Sequence, residues 1–193
     1  MGRVFPNLKV AELIEQVSKL HSEQFAAFTE IETRRWGDKG VAEAKFEIPE
    51  RDAPDLFRRL YCADFVIDHG DRFEPKEMQP ETELTFAPFG CEIGQAVVKF
   101  ERLVWDDVVL LHDGPGVERD DLDRWFEHWF DPDDSRPDAA PPLSGKSHAL
   151  FVRSRYLSID FGTASADAFW DLMDLVTAQA RNIRVTGQEV AGR

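Results

Sequence analysis

Two histidine–carboxylate pairs stand out in the chain, Asp68-His69-Gly70-Asp71 and His112-Asp113-Gly114. Both follow runs that read as strands. Imidazole nitrogens and carboxylate oxygens are the donors that build metal sites, and the same groups move protons near neutral pH. With the two strand ends adjacent, His69, Asp71, His112 and Asp113 would form a metal site or an acid–base pair. Against this, antiparallel neighbours run oppositely, so their C-terminal ends lie apart. Asp-Gly and His-Gly are also ordinary turn chemistry. His21, His128 and His148 have no such company and read as surface or half-buried side chains.

Nucleophilic chemistry finds little material. No Gly-x-Ser-x-Gly elbow occurs. Of the two cysteines, Cys62 ends a predicted helix, where the dipole disfavours a thiolate, and Cys91 sits in a predicted turn beside Glu92. Asp131-Pro132-Asp133-Asp134-Ser135-Arg136 lacks the glycine and closing glutamate of a calcium loop. Ile159-Asp160-Phe161-Gly162-Thr163 resembles the phosphate-binding turn of the sugar-kinase and actin-like ATPases. In that family a long nucleotide domain follows the motif, whereas thirty residues follow here. A strand-to-helix turn, bent at Gly162 and capped by Ser165, accounts for the match. No cofactor is expected.

Composition narrows the partners. The chain of 193 residues has a net charge of −14, with 42% hydrophobic residues. Nucleic-acid and anionic-membrane surfaces are excluded by the sign of the field. Nothing approaches 18 consecutive apolar residues. The start lacks a signal-peptide core, and Gly2 lacks a myristoylation context, so the expected location is cytoplasmic. Between Trp105 and Asp138 there are twelve acidic and three basic residues. That segment also carries Leu122, Trp125, Phe126, Trp129 and Phe130 at helical spacing, a wide apolar stripe.

The elements that would position these groups follow from periodicity. Helices are predicted over 8–20, capped by Asn7, and over 52–62, 122–130 and 165–181. Strands are predicted over 28–36 and 41–48 about a Gly37–Gly40 turn, then over 65–68 and 82–87. A hairpin joins 96–104 to 108–112, a second joins 148–153 to 156–161, and 183–185 forms an edge strand. Residues 131–146, rich in Asp, Pro and Ala, read as a flexible loop. The expectation is a single α+β domain over 1–193. A mostly antiparallel, curved sheet of 6–7 strands packs against helices, among them a long C-terminal one.

The leading functional expectation is a non-enzymatic accessory protein acting through a protein partner or self-association, possible homo-oligomer contacts included. Its contacts would be Trp125, Trp129, Asp121 and Asp123, facing a basic surface. The alternative is a binding module or enzyme with an apolar ligand pocket between curved sheet and C-terminal helix.

Overall fold

The computed structural model describes residues 8–139, 141 and 143–187. It contains helix α1 (Leu8–Trp36), strands β1 (Gly40–Glu47), β2 (Leu60–Asp68), β3 (Phe73–Lys76), β4 (Phe89–Ile93), β5 (Ala96–Phe100) and β6 (Val108–His112), and helix α2 (Arg119–Trp129). Strands β7 (Ala149–Arg153) and β8 (Tyr156–Asp160), helix α3 (Ala166–Gln179) and strand β9 (Asn182–Thr186) complete it. The α+β class is as expected, but the strands form two sheets, ordered β1-β2-β3 and β4-β5-β9-β6-β8-β7.

Several expectations are corrected. The long helix is α1, with 29 residues, near the N-terminal end, whereas α3 has 14 and is followed by a strand. The expected single curved sheet is replaced by the two sheets. Helix α1 runs on through 28–36 because its inner stripe continues in polar residues. Val10, Ile14, Val17, His21, Phe25, Thr29 and Glu32 recur every three or four positions, and all are buried. Reading only the apolar members ends the helix too soon. Glu32 is tolerable there because it accepts a hydrogen bond from Trp36 Nε1 at 3.1 Å and pairs with Lys76. The proposed Asn7 cap and the Gly2 context lie outside the described residues.

The helix expected at 52–62 is a single 3-10 turn at Phe57–Arg59, after which the apolar run Leu60–Ile67 forms β2. Short apolar runs of this kind fit either element locally. No strand forms over 82–87, and Cys91 lies in β4 rather than in a turn. The expected β5–β6 hairpin also fails to form. Strand β9 lies between them, parallel to β5 and antiparallel to β6. The β7–β8 hairpin is present.

The main core joins the six-stranded sheet to residues of helices α1, α2 and α3. Phe169, Met173 and Val176 of α3 are fully buried. The Phe169 ring sits 6.0 Å from Phe161 and 6.4 Å from both Phe100 and Trp105. Aromatic rings pack against one another across this seam. The two sheets meet where Cys62 N donates to His148 O at 2.8 Å and Leu56 bridges to Phe151.

Candidate functional site

Several of the buried polar side chains gather at the sheet junction. Glu43 of β1 and Asp64 of β2 stand at opposing positions of that pair, between the Ala42–Phe65 and Ala44–Ala63 partners. Two carboxylates directly opposite repel. Here His148, just before β7 and fully buried, is inserted between them. Its Nδ1 lies 2.9 Å from Asp64 Oδ1 and its Nε2 3.1 Å from Glu43 Oε1. Asp160, the last residue of β8, completes the group. Ligand atoms of Asp64, His148 and Asp160 all lie within 4.8 Å of one another.

Each member is held by its own element. Glu43 adopts φ +50°, a left-handed conformation uncommon for a residue with a side chain. Its carboxylate accepts the Ser144 N–H at 2.7 Å, the Ser144 hydroxyl at 2.6 Å and the Thr163 hydroxyl at 2.6 Å. Asp64 Oδ2 accepts the Met78 N–H at 2.8 Å. Asp160 Oδ1 accepts the Gly162 N–H at 2.8 Å, and no donor reaches Oδ2 among the described residues. Gly162, at φ +50°, brings its backbone against the His148 ring, where a Cβ would collide.

The electrostatics follow from burial and neighbours. Burial alone would lower the His148 pKa, but the bonds to Asp64 and Glu43 and the field of Asp160 raise it well above the usual imidazole range. A ring with carboxylates on both nitrogens donates from both, as an imidazolium. Burial pushes Glu43 up, yet its bonds to His148, Ser144 and Thr163 bring it below the ordinary value. Asp160 is raised, by burial first and then by Asp64 and Asp106. Asp106 is pushed up to about 6, chiefly by burial and further by Asp64, Asp107 and Glu83. Burial drives the Cys62 thiol to about 12, so it is no nucleophile at neutral pH.

A second charged group adjoins the first. The buried Asp131 accepts N–H groups of Ser135 and Arg136, each at 2.9 Å, and lies 3.2 Å from Lys146 Nζ. Lys45 and Lys146 each reach Asp134 Oδ1 at 2.7 Å. At its described residues, segment 131–146 is bonded to β1 through Lys45 and Glu43 and to the turn after β8 through Thr163.

The residues singled out in the sequence lie elsewhere. His69 follows β2 in the small sheet, with Nε2 3.1 Å from Glu74 and its ring against Trp36. Asp71 is exposed in the turn between β2 and β3. His112 ends β6 in the large sheet, buried, with neither ring nitrogen partnered among the described residues. Asp113 accepts the N–H groups of Arg181 and Asn182 at 2.9 and 3.0 Å, which hold it down at about 2. The two pairs thus belong to different sheets and share no ligand group.

Trp125 and Trp129 are 4% and 8% exposed, and their indole N–H groups donate to Ala168 O and Asp171 Oδ2 at 3.0 and 2.8 Å. Asp121 pairs with Arg124, and Asp123 with Arg119 at 3.2 Å. The ring edges of both tryptophans still border an open groove of about 360 Å³ between α2 and α3, lined further by Asp121, Arg124, Asp171 and Asp174.

The buried cluster escaped the sequence reading for physical reasons. Glu43 and Lys45 alternate with apolar neighbours along β1, a pattern normally assigned to solvent. His148 has no ligating neighbour within two residues. Only Asp160, at a strand end before a tight glycine turn, carried a local signal. No family model, curated protein or solved structure matches the chain, and the chemistry of the site is read from its geometry alone.

Proposed function

We propose that the protein is a non-catalytic binding protein that engages a basic segment of a partner protein in the groove between α2 and α3. The observation that supports this reading is the lining of that groove. Three carboxylates, on Asp121, Asp171 and Asp174, line it together with Trp125 and Trp129, Asp121 pairing with the one guanidinium, Arg124, and Asp171 accepting the Trp129 N–H. Carboxylates recognise the ammonium or guanidinium heads of Lys and Arg, and indole surface accepts their stems and charge. The net charge of −14 would steer a cationic partner toward the molecule.

An arginine- and lysine-rich peptide titrated against tryptophan fluorescence tests the reading. Binding at low salt should weaken as salt rises, because exposed charges are screened. The double substitution Asp121→Lys, Asp174→Lys should reduce affinity at least tenfold with the circular dichroism unchanged. Equal binding by this variant would sink the proposal. A concentration-dependent dimer in sedimentation, insensitive to the same substitutions, would place self-association on a different face.

A further inference from the structure

We propose that Asp64, His148 and Asp160 form a binding site for one divalent transition-metal ion, with Glu43 orienting the imidazole. The geometry carries this independently of the α2–α3 groove. Three potential ligands come from β2, the start of β7 and the end of β8, and their donor atoms already lie within 4.8 Å of one another. Ligands at about 2.0–2.2 Å in a tetrahedral set lie ~3.4–3.6 Å apart, so the widest pair must close by up to about 1.3 Å and the Nδ1–Asp64 pair must open slightly to complete the set. Asp160 is anchored through Oδ1 to the Gly162 N–H, and Oδ2 has no hydrogen bond among the described residues.

The surroundings match what a metal-bound histidine needs. Such a ring donates its second N–H to a carboxylate, which fixes its tautomer and its plane. Glu43 stands 3.1 Å from His148 Nε2 in that role, itself held by Ser144 and Thr163. Nδ1, which donates to Asp64 in the metal-free protein, is then the ligating nitrogen, and its proton is released to solvent as the ion takes its place. Gly162 against the ring leaves no space for it to swing away. One imidazole and two carboxylates suit a transition-metal ion such as Zn²⁺ or Mn²⁺ better than Mg²⁺, which prefers oxygen and retained water.

Nearby, His21 supports the polar character of this region. It is 6% exposed, its Nε2 has no partner among the described residues, and the Phe25 ring packs against both imidazoles. It lies outside the ligand set and is not part of the proposal.

The test uses the full chain, freed of metal by chelator and dialysis, then titrated with Zn²⁺, Mn²⁺ and Mg²⁺ by calorimetry. The expected result is one Zn²⁺ or Mn²⁺ per chain, with Mg²⁺ at least tenfold weaker. Asp160→Asn keeps the acceptor for the Gly162 N–H but loses the anionic ligand, and should lower affinity for Zn²⁺ by 10-fold or more. Glu92→Gln, exposed on β4 at the opposite edge of the large sheet from β7, should leave binding unchanged. No stoichiometric binding, or equal affinity in Asp160→Asn, overturns the site. Should Asp160→Asn fail to fold, ¹⁵N spectra of the wild-type imidazoles decide. With Zn²⁺ bound, His148 should keep its Nε2 proton and lose the Nδ1 proton. A ring still carrying both at saturation refutes the assignment.

Discussion

Asp106 shows how a single residue couples this fold to pH. Its carboxyl is pushed from an ordinary value of 3.8 up to about 6, first by burial and then by the neighbouring Asp64, Asp107 and Glu83. A raised folded pKa means that the folded chain holds a proton which the unfolded chain has released. The corresponding stability is fully present below about pH 4 and is lost as the pH climbs through 6. At pH 7 the ionised side chain is a burden. Asp106→Asn should therefore raise stability at pH 7 by on the order of 1–3 kcal/mol. The gain should vanish near pH 4. Urea denaturation at the two pH values measures both, and an equal effect at each would exclude the electrostatic cause.

At the scale of elements, the turn from β8 into α3 is the most constrained connection. Gly162 combines φ +50° with a backbone pressed on the fully buried His148 ring. Gly162→Ala adds left-handed strain to a collision that the packed ring cannot escape. It should cost at least about 2 kcal/mol in chemical denaturation. Loss of less than about 0.5 kcal/mol would mean that the ring has room to move.

This turn also marks how far local sequence reaches. The β7–β8 hairpin and α3 were legible because their periodicities lie within a few residues, although Ser165, at the start of α3, makes no side-chain capping bond. The same reading failed for α1, whose buried stripe passes through His21 and Glu32, and for β2, whose apolar run fits helix or strand. Glu43, Asp64, His148 and Asp160 meet only through pairing of distant strands. Nothing within one strand distinguishes an outward carboxylate from one that faces a second sheet.

For the molecule as a whole, charge acts as an inner fastening as well as a surface property. Segment Trp105–Asp138 carries much of the acidic excess, yet Asp107, Asp121, Asp123, Glu127, Asp131 and Asp134 are all paired with basic side chains. The Asp131–Lys146 pair is the most enclosed of these, at 2% and 5% side-chain exposure. Removing one partner of a buried pair strands the other charge. Lys146→Met should cost roughly 3 kcal/mol, and Asp131→Asn added to it should recover part of the loss. A thermal-unfolding double-mutant cycle tests this, and simple additivity would show that the pair is not coupled.

The position of β9 also bears on synthesis. It is the last described strand to leave the ribosome, yet it lies at the centre of the large sheet, parallel to β5 and antiparallel to β6. Until it arrives, the β4–β5 ribbon and the β6–β8–β7 ribbon each expose an unpaired inner edge. Such edges are templates for pairing between chains. Strand exchange between copies of the chain is therefore open sterically until residues 182–186 pair with β5 and β6. Rapid delivery of residues 182–186 is what ends that exposure.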